Sequence, residues 1–314
     1  MGCESQRLNI DGWQHCSVSF RPTADSHLQI ADKNNFTLLS NQVTTVWYRR
    51  PCGLLPNAEP RSVSDKFASG EWKHSLEWLY VAFNDSFWVN DLNNVRIANS
   101  KAHQLRVAKK HGLTVPRTII TNNPREVEEF SKTFEGPLAY KPLHSFSTPS
   151  KDQTDLLTVF TNIVPRSMVK YCAAEIERAP CIFQEYIAKQ YELRITVVGQ
   201  DVHCAAIYSQ ASERSSIDWR RYDLVNTPYK PYTLPPLLKD RILQFMAELG
   251  LVFGCLDFIV TPDDKFVFLE INPNGQWLWV EKLTGVPIAE SIAQLLARGD
   301  HSRRLPRRRE RVDI

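Results

Sequence analysis

Three oxygen-bearing side chains sit in a pair of apolar runs where a core-forming hairpin would have none. Asp257 lies amid Leu256, Phe258 and Ile259, while Glu270 and Asn272 follow the apolar run 266–269 and share one face at period two. The runs 255–260 and 266–271 flank Thr261-Pro262-Asp263-Asp264, a turn signal, so the stretch reads as a hairpin. Reflection about that turn brings Asp257 opposite Glu270, with Asn272 next to them. Two carboxylates pressed together in an apolar sheet repel and lose hydration, a cost that cations between them relieve. Two carboxylates and an amide form an oxygen-only set suited to Mg²⁺ or Mn²⁺, which usually share coordination with substrate phosphates. The competing reading is a polar outer face on a half-solvated hairpin. Apolar neighbours on both faces argue against it.

The elements that must position these groups are strands and helices in mixed order. Residues 181–187 form a short buried strand, and 191–199 with 202–208 form a hairpin about Gly199-Gln200-Asp201. Alternation there puts Glu192, Arg194 and Thr196 on one face and Leu193, Ile195 and Val197 on the other. An ion pair between Arg194 and Glu192 is one reading of that face. Leu238, Ile242, Phe245 and Leu249 mark an amphipathic helix ended by Gly250. Upstream, residues 93–111 form a helix carrying Lys101, Leu105 and Ala108 and stopped by Gly112, and 113–120 form a strand. Asn123-Pro124 caps and opens the next helix, which buries Val127 and Phe130. The strand 137–142 carries Lys141 near its end, a usual place to hold a phosphate. After the loop 144–150 come a return strand at 156–162 and a looped segment at 165–178. Asp218-Trp219-Arg220 falls in an exposed-looking polar stretch, 212–222, where a loop salt bridge would by itself explain a D-x-R motif. A helix from Ser69 carries Trp72, Leu76, Leu79, Tyr80 and Phe83, and Pro287 opens a last helix.

Composition bounds the rest. At 314 residues a single core is at its upper limit, so two or three packed subdomains are expected. The apolar (43%) and charged (23%) shares are ordinary and the net charge is +3, so no global nucleic-acid signal exists. The seven cysteines are scattered without a C-x-x-C pair. That pattern argues for reduced thiols in a cytoplasm and against a disulfide scaffold or zinc site. No apolar run approaches the ~20 residues of a spanning helix, and no signal peptide is apparent. Met1-Gly2-Cys3 fails the myristoylation pattern because Gln6 occupies the position that needs a hydroxyl. The stretch 298–314 holds seven arginines and few apolar residues, so it reads as a solvated, disordered tail.

Asp257, a Glu thirteen residues later, and Glu-x-Asn inside FLEINPNG closely resemble the metal-binding strands of the ATP-grasp ligases. The extension NPNGQWLWVEKLTGVPIAESIAQLL, residues 272–296, resembles one branch of them, the maturases of ribosomally made peptides (graspetide or microviridin-type macrocyclases). VWYRRP at 46–51, with Arg49 and Arg50, matches a signature of the maturases' N-terminal region, where that family places peptide recognition. The resemblance implies an α/β (α+β) ATP-grasp fold with two lobes clasping ATP. It divides the chain into an N-terminal pre-ATP-grasp domain (1–92), a central lobe (93–180), a C-terminal lobe with the metal site (181–299) and the basic tail (300–314). Relatives begin with a further strand and helix, whereas this chain starts at about their second strand, residues 7–10. Either the start is misassigned or the front domain lacks a βα unit and leaves a sheet edge unpaired.

The same resemblance implies ATP and Mg²⁺ (or Mn²⁺) as cofactors and assigns roles by position. Asp257, Glu270 and Asn272 are the metal ligands. Lys101, in N-x-K-x-x-Q-L at 99–105, and Lys141 hold nucleotide phosphates, although a solvated helix lysine would look the same at 101. Gln184, Glu185 and Ile187 line the adenine site, and Glu192 accepts from a ribose hydroxyl. The loop 144–150 matches the flap over the triphosphate, with hydroxyls and a proline where most relatives have glycines. Arg194 steadies the γ-phosphate and an acyl-phosphate, while Asp218 and Arg220 face the reacting acidic side chain of the peptide. The implied function is ATP-dependent macrocyclisation of a precursor peptide with a leader and an acidic core. Glu or Asp side chains are joined to Ser or Thr as esters, or to Lys as amides. The implied assembly is a homodimer, with no membrane or nucleic-acid partner. Two alternatives stay open: a glutathione-synthase-type ligase for free amino acids or a small metabolite, and a non-catalytic ATP-grasp-like binding module.

Overall fold

The alternation at 191–198 lands at the centre of the largest sheet. The structure is a computed structural model, described for residues 3–9, 15–21, 27–31, 37–49, 62–144, 147–149, 156–221 and 223–299. The chain divides into two units, residues 1–91 with 290–314, and residues 92–289.

The first unit contains β1 (Ser17–Arg21), β2 (His27–Ala31) and β3 (Thr37–Leu39) as an antiparallel sheet in that order. β4 (Thr45–Trp47) pairs in parallel with β5 (Phe87–Val89). Between them run α1 (Val63–Ser75) and α2 (Glu77–Ala82). The expected helix from Ser69 starts six residues earlier, because the Ser62 hydroxyl accepts the Asp65 N–H and caps it. It also breaks at Leu76, where the Leu79 N–H turns back to the Leu76 carbonyl. The predicted stripe still packs: Leu79 and Phe83 are buried with Leu28 and Ile30, and Trp72 and Leu76 lie against them. Arg49 is half-buried, while Arg50, Pro51 and the basic tail 300–314 lie outside the described residues.

The second unit opens with α3 (Leu92–Ala98) and α4 (Lys101–Lys110), two helices where one was expected, separated at Asn99-Ser100. β6 (Thr118–Thr121), α5 (Pro124–Ser131), β7 (Leu138–Lys141), β8 (Ser147–Pro149), β9 (Leu156–Thr158) and β10 (Asn162–Val164) follow. The expected strand 113–120 is short, with Thr114 making only an isolated bridge to Val267. The expected strand 156–162 is two strands, β9 pairing with β8 and β10 with β7. The flap residues Ser145, Phe146 and Ser150 lie outside the described residues. Segment 165–178, expected as loop, is a 3-10 stretch (Arg166–Cys172) and α6 (Ala173–Glu177). Its Val169 and Ile176 enter a core with Val127, Leu138 and Phe183, which is what folds it. With β11 (Cys181–Glu185) these strands make an antiparallel sheet ordered β10-β7-β11-β6.

The larger sheet is β14-β13-β12-β15-β16, built from β12 (Tyr191–Val198), β13 (Asp201–Ile207), β14 (Tyr229–Pro231), β15 (Phe253–Val260) and β16 (Phe266–Asn272). Leu193, Ile195, Val197, Leu256 and Phe258 pack from one face against α4 and α7 (Pro236–Glu248), around Val107, Ile242 and Phe245. At full burial each such side chain contributes about 1.5–3 kcal/mol. Arg194, Thr196 and Asp257 lie on the opposite face. α8 (Leu278–Thr284) and α9 (Ile288–Arg298) complete the described elements.

Candidate active site

The predicted hairpin is β15–β16, closed by the Thr261–Lys265 turn with Asp264 at φ 58°. Its register is Val260↔Phe266, Ile259↔Val267 and Phe258↔Phe268, then shifts by one residue to Asp257↔Glu270, Leu256↔Ile271 and Cys255↔Asn272. Leu269 is the extra residue of this β-bulge. Strict alternation would have put Glu270 on the same face as Phe266 and Phe268, against the helices. The bulge turns it to the face of Asp257, so the two carboxylates meet as expected, by a device that period two alone does not reveal.

Each carboxylate has cationic partners. One Arg194 nitrogen donates to both oxygens of Asp257 at 3.0 Å. The Lys101 ammonium lies 2.5 Å from Glu270, and Arg220 donates to Glu270 at 3.4 Å. Arg220 also holds Asp218 at 2.6 and 2.8 Å, and the Thr161 N–H donates to Asp218 at 3.2 Å. Lys141 forms no ion pair or side-chain hydrogen bond among the described residues, yet it sits in the field of Glu270 and Asp218. Four cations therefore face three carboxylates, a surplus that favours an anionic ligand.

Titration follows from these contacts. Burial would raise the Glu270 carboxyl, but the charges of Lys101, Arg220 and Lys141 bring it down to about 2. Burial likewise pushes Asp218 up, and Arg220, with the N–H groups of Arg220 and Thr161, holds it well below the usual carboxylate range. Asp257 is raised, first by burial and then by Glu270, against the pull of Arg194. Burial lowers the Lys141 amine, partly offset by Glu270.

Among the described residues no group of three or more His, Cys, Asp or Glu stands together as a metal nest. Asp257, Glu270 and Asn272 instead bring three oxygen-bearing side chains together there, and the Asn272 side-chain oxygen accepts the Asn274 N–H and keeps a second lone pair. That set fits a hard divalent ion completing its shell with phosphate and water.

A cavity of about 410 Å³ joins these groups. Its lining includes Lys101, Lys141, Gln184, Glu185, Ile187, Glu192, Asp218, Arg220, Asp257, Glu270 and Asn272, eleven of the twelve residues singled out in the sequence. Arg194, the twelfth, stands behind Asp257. Its partner is not Glu192, which is buried and bound instead by Lys189 at 2.5 Å and Ser209 at 2.8 Å. Lys189 also donates to the Ile217 carbonyl at 3.0 Å, fixing the turn that presents Asp218. That turn belongs to a segment expected to be exposed. Ser212, Ser215, Asp218 and Trp219 are in fact buried. The Ser215 hydroxyl is satisfied by the Ser209 carbonyl and Thr227, and the Ser212 hydroxyl donates to Asp223, which explains how so polar a stretch goes inside. Ile182, Ile187, Ile259 and Leu269 give the cavity an apolar wall beside Gln184 and Glu185. The Glu185 side chain itself turns to Arg117. Lys189 and Leu269 were assigned no role from the sequence, and Trp219 was noted there only as the middle of the D-x-R motif.

Comparison with known proteins gives the same picture. Residues 98–296 match the family model of the RimK-like ATP-grasp domain. The macrocyclase MdnC of Microcystis aeruginosa, solved with its precursor peptide MdnA, superimposes with a TM-score of 0.80 at 30% identity, covering 93% of this chain and 90% of that one. A Chryseobacterium gregarium RiPP-associated ATP-grasp ligase, solved with ADP and a leader and core peptide, gives 0.85 at 30% identity, covering 95% and 89%. Among curated proteins, the α-aminoadipate–LysW ligase LysX of Sulfurisphaera tokodaii is 21% identical over 188 residues. That match takes in 59% of this chain and 62% of LysX, less than two thirds of the relative's length.

Proposed function

We propose that this chain, which belongs to the RimK-like ATP-grasp family, is an ATP-dependent macrocyclase of a ribosomally made precursor peptide. What supports the reading is the juxtaposition of Asp257 and Glu270 in a cavity ringed by Lys101, Lys141 and Arg220, in a chain that resembles a peptide-bound macrocyclase and a peptide-bound ATP-grasp ligase over nearly its whole length.

A side-chain carboxylate lacks a leaving group. ATP supplies one by phosphorylating a substrate Glu or Asp, after which a Ser, Thr or Lys side chain of the same peptide displaces phosphate, forming the ester or amide. Asp257, Glu270 and Asn272 would hold Mg²⁺, with Mn²⁺ as a substitute, and it would offset phosphate charge there. Lys101 and Lys141 add fixed positive charge where negative charge gathers, and Arg194 orients Asp257. Glu192, held by Lys189 and Ser209, offers its remaining oxygen to a ribose hydroxyl. Ile182, Ile187 and Leu269 sandwich the base, and backbone groups near Gln184 and Glu185 read its edge. Asp218 fixes Arg220, which binds the substrate carboxylate. No side chain of this protein need form a covalent bond. A cytoplasmic setting and a homodimer belong to the same proposal.

The test is co-expression with candidate acidic precursor peptides, followed by mass spectrometry. Loss of one water mass per ring is the expected result. ADP release with free amino acids and none with peptide would move the chain to the carboxylate–amine ligases. ADP release with neither would make it a binding module.

A further inference from the structure

Between Asp218 and Arg220 stands Trp219, 6% exposed and part of the cavity wall. Its ring centroid lies 5.6 Å from the guanidinium carbon of Arg194. Trp279 backs it, with ring centroids 5.0 Å apart and planes at 36°, and Tyr229 meets Trp279 edge-on at 5.7 Å. Arg194 itself is 5% exposed. One of its terminal nitrogens goes to Asp257 and the other to the Gln276 carbonyl at 3.0 Å, while its Nε is buried with no acceptor among the described residues. Hydrogen bonds alone therefore leave that guanidinium one anchor short. An aromatic face supplies a directional hold on a cation, and it does so most strongly where water is excluded.

The geometry points to Trp219 as a positioning residue that sets the plane of Arg194 against Asp257. Because Trp219 is covalently the middle of the Asp218–Arg220 turn, the same ring ties the group that steadies Asp257 to the arm that receives the substrate carboxylate. The NPNGQWLW stretch takes part through Gln276 and Trp279. It thereby gains a role beyond resemblance: it closes the cage around Arg194. This inference rests on the macrocyclase reading for its catalytic readout only.

The test is a double-mutant cycle with Trp219→Leu and Arg194→Lys, with Trp219→Phe as the variant that keeps an aromatic face. Precursor-dependent kcat, the dissociation constant of Mg²⁺ with a non-hydrolysable ATP analogue, and Tm are measured for each. Trp219→Leu is expected to lower kcat about tenfold and Trp219→Phe by less than about threefold. In the Arg194→Lys background, Trp219→Leu should add less than about twofold, because both changes remove one interaction. Multiplying effects would overturn the proposal, as would a folded Trp219→Phe as impaired as Trp219→Leu. If wild type processes no peptide, the macrocyclase reading fails on its own. The cycle is then read on the analogue's dissociation constant, where non-additivity supports the cage and additivity removes it.

Discussion

Arg220 reaches two carboxylates at once, Asp218 at 2.6 Å and Glu270 at 3.4 Å, so the turn that carries it is tied to the β15–β16 hairpin. In the proposed function, substrate recognition and phosphate chemistry would share that one side chain. Arg220→Gln should abolish ring formation while changing affinity for the nucleotide analogue by only a few-fold. Leaving Asp218 buried and unpaired should cost about 2 kcal/mol after allowance for the partial exposure of Arg220. Arg220→Lys should recover little, since one ammonium cannot span both partners. Peptide-dependent ADP release and urea unfolding check this.

Glu270→Gln and Asp257→Asn should each eliminate ring formation and Mg²⁺-dependent nucleotide binding while the fold survives. Calorimetric titration of the nucleotide analogue with and without Mg²⁺ separates the two losses. Full activity in either variant would remove these residues from the metal site.

Acid should weaken the fold through Asp218. Its carboxyl is held below the usual range in the folded state, so its stabilisation is complete above about pH 5 and drains away as pH falls through the folded value. Asp218→Asn should therefore be less stable than wild type at neutral pH, with the gap closing steadily toward about pH 2. Glu270, brought down to about 2, loses stabilisation over the same window in both proteins. Urea midpoints at a series of pH values give the comparison. A gap independent of pH would contradict the assignment.

Lys189→Met leaves Glu192 as an uncompensated buried carboxylate and should cost about 3–5 kcal/mol. Adding Glu192→Leu should restore much of that stability but not nucleotide binding. Thermal unfolding with and without the nucleotide analogue distinguishes the two roles of Glu192.

At Gly275 the backbone runs hard against the site: an added Cβ would lie 2.4 Å from that of Cys255 and 2.9 Å from Arg194. Gly275→Ala should cost about 1–3 kcal/mol by overpacking and should displace the guanidinium. A fall in activity larger than the fall in Tm implies is the expected signature.

The charged residues that the fold gathers at the cavity were legible in the sequence because a charge in an apolar strand stands out against period two. Asp257, Glu270 and Arg194 all announced themselves that way, and Lys141 did so by its place at a strand end. What stayed hidden depends on contacts between distant segments. Lys189 gains its meaning only from Glu192 and Ile217, and Trp219 only from Arg194 and Trp279. Segment 212–222 looked exposed because its serines are polar, yet the fold satisfies them internally. Segment 165–178 gave a weak helical signal because its core-facing residues, Val169, Cys172 and Ile176, are few and split between a 3-10 stretch and a short helix. The Arg194–Glu192 pairing followed from adjacency on one strand, whereas the nearer carboxylate belongs to the neighbouring strand, at Asp257.

Leu269 works as a phase change within its strand: residues before it obey one parity, residues after it the other. Length at this point therefore matters more than identity. A conservative exchange at 269 alters a wall of the cavity and little else. Deleting that one residue would reset the count, drive Glu270 toward Phe245 and lift Ile271 among the charges, so a single codon loss would exchange a cavity carboxylate for a misplaced buried anion.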